Sequence, residues 1–394
     1  MEKRRRVFAS LIVALAVSCD RTPPPPDHVA QYRAAALERR SGVYPFVYDR
    51  SGRPLARNHD FSMITQIFEA KHAGLKNRVT TTLDPQIQHI ALRSLGELRA
   101  SFVAIDPRTN EVVAVATNEP NPFERQYEPG SVIKVLTLLA ALSSGVDVQA
   151  KFPFICRGAL PIDGRSFGDW HPGGHGTLPD VDEALAQSCN VAFAAIGLET
   201  GRDRLRAFHK AAGFDGQTNL GVFRVELGKT VGQIFNNFET GFYSIGLEHE
   251  TVTTFHLAML ASMVANRGAL TNPRIVLTRR SFLGEPIGAL PKQTSVQIAP
   301  REVVERAITA MRAVVDHEKG TGRHARVEGV SLALKTGTAG SREQGYDALV
   351  IGFAPAEQPK IAFALIAENA GTAEIAGARV AHDFIEGLRA SGHL

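Results

Sequence analysis

The stretch QYEPGSVIKVLTLLAALSSG, residues 126–145, decides how this chain is read. Val132, Ile133, Val135, Leu136, Leu138, Leu139 and Leu142 predict a buried helix, yet Lys134 interrupts the run. A buried ammonium is costly unless it is paired, so the lysine needs a partner or a task. Pro129 and Gly130 favour a turn that places Ser131 at the helix N-terminus. Backbone N–H groups are free there, and the dipole stabilises developing negative charge. Ser131 and Lys134 are three positions apart and share a face. A serine hydroxyl is a weak nucleophile that needs an adjacent base, and a lysine whose pKa is lowered by burial can serve. Alone, Ser-x-x-Lys is a poor signal, and an N-cap serine with a snorkelling lysine is the better reading of it.

Two further segments change that balance. AQSCNVAF (186–193) supplies Ser188 and Asn190, a hydroxyl and an amide one residue apart at the edge of a helical run. ALKTGTAG (333–340) ends a strand-like run with Lys335, Thr336, Gly337 and Thr338. Lys335 offers positive charge, the threonines offer hydroxyls for a carboxylate, and Gly337 lets a substrate approach the backbone closely. The set Ser-x-x-Lys, Ser-x-Asn and Lys-Thr-Gly, in this order, belongs to serine acyl-transfer chemistry.

On these motifs the chain resembles the penicillin-binding protein transpeptidase family, most closely its monofunctional class B type. The resemblance runs from about residue 78 to the C-terminus. TTLDPQIQHIA, FVAIDPRTNEVVAVAT, DWHPGGHGT, EKGTGRHAR and VIGFAP extend it beyond the three motifs. It implies an α/β (α+β) fold, a five-stranded, mainly antiparallel sheet flanked by helices, with the site between the sheet edge and a helical lobe. It also implies D,D-transpeptidation of peptidoglycan stem peptides, with β-lactams as inhibitors. Residue by residue, Ser131 matches the nucleophile, Lys134 its base and Ser188 the proton relay. Asn190, Lys335, Thr336, Gly337 and Thr338 match substrate-binding positions. The N–H groups of Ser131 and Thr338 match the oxyanion hole. No cofactor is expected for catalysis. D,D-carboxypeptidase activity, or a serine β-lactamase or β-lactam sensor on the same fold, are the alternatives. No Glu-x-x-Leu-Asn segment is present to act as a deacylating glutamate. SIGLEHETVTTFHLA (244–258) departs from the family's usual turn in a loop near the cleft, which leaves acceptor binding open.

The N-terminal segment, not composition, places the chain outside the cytoplasm. Apolar residues make up 44 % and charged residues 21 %, an ordinary globular balance. The net charge of +4 is small, and no basic stripe interleaved with aromatics points to nucleic acid. GVFRVELGKT ends like a P-loop, but its glycine lies too far upstream. The N-terminus reads as a targeting segment, with basic EKRRR followed by VFASLIVALAV, too short for a comfortable span. AVSC resembles a lipobox with Cys19 as the lipidated residue, and Asp20 resembles an inner-membrane retention signal. The expected organisation is a signal peptide over 1–19, a Pro-rich tether over 20–40, a short N-terminal module over 41–98 and the transpeptidase domain over 99–394. There is no room in this layout for a preceding glycosyltransferase domain. The chain is expected at the periplasmic face of the inner membrane, held by lipid or by an N-terminal anchor.

Beyond Cys19 only Cys156 and Cys189 remain, with Asp169, His171 and His175 between them. Two cysteines outside the cytoplasm commonly form a disulfide. Cys156, Asp169, His175 and Cys189 also offer a tetrahedral zinc set. Elongation-type class B members carry a zinc site in this loop, and by that resemblance Asp169, His175 and Cys189 fall on ligand positions, with Cys156 replacing a carboxylate. Zinc, disulfide and free thiols all stand as readings of the pair.

Overall fold

The computed structural model describes residues 47–55, 59–71, 78–281, 284–341, 343 and 345–394. The expected signal peptide, Cys19 and the tether lie outside the described residues. The core is a sheet of five strands: β1 (Ala100–Asp106), β2 (Glu111–Thr117), β3 (Ala333–Ser341), β4 (Gly345–Ala354) and β5 (Ile361–Ala367). The spatial order is β3-β4-β5-β1-β2, and every neighbouring pair is antiparallel.

The sequence explains each piece. DPRTN closes the β1–β2 hairpin, with Asn110 at φ +54°, a left-handed position that asparagine tolerates. The strands of β2 and β5 are buried along their whole length, so both faces must be covered. One face carries α1 (Pro85–Leu95) and α6 (Ala378–Ala390). Asp84 caps α1 by accepting from the N–H groups of Gln86 and Ile87, as the Asp-Pro start predicts. Phe384 of α6 packs 4.5 Å from Phe102 and 5.4 Å from Phe363, ring centre to ring centre. The other face carries α4 (Thr254–Ala265), buried at every position, which accounts for its apolar composition all round. The helical lobe holds α2 (Lys134–Ser143), α3 (Asn190–Thr200) and α5 (Arg301–Asp316).

Around the Gly-rich region 157–177, short strands form two pairs, Phe154–Cys156 with Gly176–Leu178 and Ala159–Ile162 with Arg165–Gly168. Their brevity hides the period-2 signal. Within 41–98, α1 packs on the main sheet, and the strand Arg78–Thr81 pairs with Val276–Arg280 from the later chain. That segment therefore shares its packing with the larger body. Among the described residues, no helix is long and apolar enough to cross a membrane.

Candidate active site

β3 is an edge strand, so one row of its backbone groups is not taken up by a sheet neighbour. The turn carrying Ser131 docks beside it. Ser131 lies in a 3-10 turn, Gly130–Ile133, that runs directly into α2. Gly130 adopts φ +55°, and a Cβ there would sit 2.8 Å from the carbonyl oxygen of Thr338. Only glycine meets both demands. Gly337 answers from the strand. The space its Cβ would fill holds the carbonyl oxygen of Pro129 at 3.0 Å and the amide nitrogen of Val132 at 3.1 Å. Its missing side chain thus serves close contact with the Ser131 turn. The segment after Ser244 braces the other side, with Gly130 N donating to Gly246 O at 2.9 Å.

Lys134 is fully buried, as its apolar neighbours predict. Its Nζ donates to Ser188 O at 2.6 Å, to Asn190 Oδ1 at 2.7 Å and to Ser188 Oγ at 3.2 Å. Lys335, also fully buried, donates to the same Ser188 Oγ at 2.9 Å and to Thr336 O at 2.7 Å. The three motifs, far apart in sequence, thus meet at one hydroxyl. Ser131 Oγ makes no hydrogen bond among the described residues; the expected direct contact with Lys134 is replaced by Lys134 reaching to the second motif. Apo catalytic contacts are often long, so this geometry does not remove Lys134 as a base.

Burial dominates the electrostatics. It lowers the Lys134 pKa to about 8, against the opposing pull of Asp169 and Cys189. Burial, and then the charge of Lys134, push Lys335 well below the ordinary lysine value. Ser188 is held at φ +56°, an uncommon conformation for a residue with a Cβ. Its carbonyl is pinned twice, by Lys134 and by the indole N–H of Trp170 at 3.1 Å. Thr336 Oγ1 donates to Thr321 Oγ1 at 2.7 Å, and Thr338 Oγ1 accepts from Ala373 N at 3.2 Å. Ser131, Ser188, Asn190, Thr336 and Thr338 line one cleft of about 370 Å³, closed further by Trp170, Thr321, Tyr346 and Glu374.

Behind Ser188 lies the cysteine cluster. Ligand atoms of Cys156, Asp169 and Cys189 all lie within 4.8 Å of one another. Both cysteines are free and buried, so the disulfide expectation is not met. Cys189 Sγ lies 3.2 Å and Cys156 Sγ 3.7 Å from Asp169 Oδ2, while His175 Nε2 is 3.0 Å from Asp169 Oδ1. The Asp169 and His175 side chains are 0 % and 3 % exposed. Burial opposes ionisation of Asp169, but His175, the N–H groups of His171 and Val191, and Lys134 together hold it well below the usual carboxylate range. Burial first, then the Asp169 charge, push the Cys189 thiol up. Two sulfurs and a carboxylate converge out of water, donors whose chemistry suits zinc, while His175 meets the other carboxylate oxygen, Oδ1, outside that group of three. His171 turns its ring to Gly174 O at 3.0 Å and stays outside the cluster.

The model of the penicillin binding protein transpeptidase domain matches residues 100–386. The chain belongs to this family. Peptidoglycan D,D-transpeptidase PbpA of Mycolicibacterium smegmatis is 30 % identical over 339 residues, covering 74 % of this chain and 67 % of that protein. Stage V sporulation protein D of Bacillus subtilis is 27 % identical over 385 residues, covering 86 % of this chain and 56 % of that protein. The penicillin G acyl-enzyme of penicillin-binding protein A from M. tuberculosis superposes with a TM-score of 0.70 at 25 % identity, covering 79 % of this chain and 81 % of that one. The D,D-transpeptidase domain of a peptidoglycan glycosyltransferase from Eggerthella lenta shares the fold, with a TM-score of 0.75 at 21 % identity, over 88 % of this chain and 98 % of that one.

Within this transpeptidase framework, sequence reasoning missed Trp170, Thr321, Tyr346 and Glu374 as cleft residues. Trp170 carried a usable signal, as the single tryptophan beside Asp169 in a polar Gly-rich stretch. Thr321 sits within EKGTGRHAR, a segment quoted for the family resemblance, whereas nothing local marks Tyr346 or Glu374.

Proposed function

We propose that this chain is a peptidoglycan D,D-transpeptidase acting through a Ser131 acyl-enzyme. The observation that carries the proposal is the convergence of Lys134 and Lys335 on Ser188 Oγ, with Lys134 also bonded to Asn190 Oδ1, in a cleft shared with Ser131. Ser131 Oγ attacks the carbonyl of the penultimate D-alanine of a stem peptide, and Lys134, as the neutral amine, takes the hydroxyl proton. The N–H groups of Ser131 and Thr338 receive the oxyanion, a large term in such reactions. Ser188 relays the proton to the departing D-alanine nitrogen. Asn190 holds the peptide backbone, while Lys335 and the hydroxyls of Thr336 and Thr338 hold the terminal carboxylate. A β-lactam enters the same path as a mimic and leaves a stable ester on Ser131. Incubation with benzylpenicillin followed by intact-mass analysis tests this. Wild type should gain one penicillin mass on Ser131 and hold it, and Ser131→Ala should gain none. An adduct on another residue, none on folded wild type, or rapid turnover as in a β-lactamase would each reject it.

Cys156, Asp169, His175 and Cys189 would hold a zinc ion, which supplies structural cross-linking there. Cys189 lies between Ser188 and Asn190, so fixing it also fixes the second motif. We place the enzyme at the periplasmic face of the inner membrane, anchored through Cys19. N-terminal mass analysis should give lipidated Cys19 as the first residue, and a retained Met1 in the membrane fraction would refute that.

A further inference from the structure

The turn that carries Ser131 is held by a segment outside the three motifs, residues 243–252, whose sequence departs from the family's usual turn. Gly246 O accepts from Gly130 N at 2.9 Å, and Val252 exchanges two backbone hydrogen bonds with Tyr127, at 2.9 and 2.8 Å. Ser244 O accepts from Thr137 Oγ1 of α2 at 2.7 Å. The fit at Gly246 is close: a Cβ there would sit 2.3 Å from Gly130 O and 2.9 Å from the Ile133 side chain. Glu250 lies between the Gly246 and Val252 contacts. Its Oε1 accepts from His209 Nδ1, on the helix Arg202–Ala211. Resting on the Ser131 acyl-enzyme reading, we infer that the buried His209–Glu250 pair positions the nucleophile, by fixing the segment that holds the Ser131 turn.

The pair is a poor source of stability. Both side chains are 0 % exposed, so each has lost its hydration. That loss is incompletely offset, because Glu250 Oε2, His209 Nε2 and the adjacent Tyr243 hydroxyl have no hydrogen-bond partner among the described residues. The surroundings are otherwise aromatic: the rings of Tyr243 and Phe214 lie 4.9 and 5.4 Å from that of His209, centre to centre. Burial first, then the Glu250 charge, push the Tyr243 hydroxyl up. Apolar side chains would fill such a site at no greater cost. What they cannot supply is direction. The backbone pairing of the segment is brief, Glu250–Thr251 with Lys229–Thr230, and two residues define a register weakly. The bond from His209 adds a fixed point. The helix Arg202–Ala211 packs on α2 and α3, whose first residues are Lys134 and Asn190. The pair therefore refers the Ser131 turn to the same frame as its base and the second motif. Acyl transfer needs that precision, since a misplacement of about 1 Å costs up to about 10²-fold in rate.

Stopped-flow acylation at rising benzylpenicillin concentration separates the rate of ester formation at saturation from the Kd of the non-covalent complex, and thermal melts report stability alongside. The double variant His209→Phe/Glu250→Leu exchanges the pair for apolar groups of similar volume. It should melt at or above the wild-type temperature, yet form the ester about tenfold more slowly with Kd unchanged. Glu250→Gln keeps an acceptor for His209 Nδ1–H and should acylate within about threefold of wild type. A stable double variant that acylates at the wild-type rate overturns the inference, and so does a loss confined to Kd. If the double variant folds poorly, Glu250→Gln set against Glu250→Met decides: a fast Gln and a slow Met variant support the positioning bond, and equal rates overturn it. A wild type that forms no Ser131 ester would instead reject the transpeptidase reading itself.

Discussion

The burial of Lys134 makes a quantitative prediction about pH. Its pKa is lowered to about 8, because burial disfavours the ammonium. Only the neutral amine can take the Ser131 proton. At pH 7 about a tenth of Lys134 is neutral, and at pH 9 about nine-tenths is, so the second-order rate of penicillin acylation should rise about tenfold between them. Lys134→Arg retains a charge in the pocket but cannot give up its proton. It should remove the rise and lower the rate by about 10²- to 10⁴-fold. The larger guanidinium also overpacks a fully buried site, which costs about 1–3 kcal/mol of stability. Stopped-flow acylation with a fluorescent penicillin from pH 6 to 9.5, alongside thermal melts, separates lost catalysis from lost folding. A flat wild-type profile, or a Lys134→Arg variant that acylates at near-normal rate, refutes the reasoning.

Three further outcomes are expected. Trp170→Phe keeps an aromatic ring but loses the N–H on Ser188 O; one hydrogen bond of this kind should slow acylation about three- to tenfold with little change in penicillin affinity, and an unchanged rate would show that Ser188 is held without it. Protein purified with zinc should carry about one ion per chain by elemental analysis, and Cys156→Ser or His175→Ala should lose it along with a lowered melting temperature; no zinc in the wild type would refute the site. His256 is buried, donates Nε2–H to Ala212 O and accepts Gly228 N–H on Nδ1, and burial lowers its pKa to about 4. The unfolded chain takes up this proton below about pH 6.5 and the folded chain does not, so this contribution is complete above pH 6.5 and falls away toward pH 4, by about 3 kcal/mol. Denaturant melts across that range should show the slope, and His256→Gln should flatten it.

The sequence by itself determined the residue types of the chemistry and the elements that carry them. The Asp-Pro start of α1, the DPRTN hairpin and the apolar run around Lys134 are local signals, and local sterics and burial patterns read them directly. The three motifs could be named because their order and residue chemistry are specific. The tertiary structure alone decided how they act together. Lys134 reaches across 54 positions to Ser188, and Lys335 across 147, and neither bond leaves a trace in periodicity. The strained φ of Ser188, the hold of Trp170 on its carbonyl, and the places of Thr321 and Glu374 in the cleft follow from where distant elements pack. The cysteines make the same point. Composition allowed a disulfide, a metal site or free thiols, and only the packed chain shows two free, buried sulfurs gathered on Asp169 instead of bonded to each other. Chemistry is written in residue identity, but proximity between distant residues is a property of the packed chain.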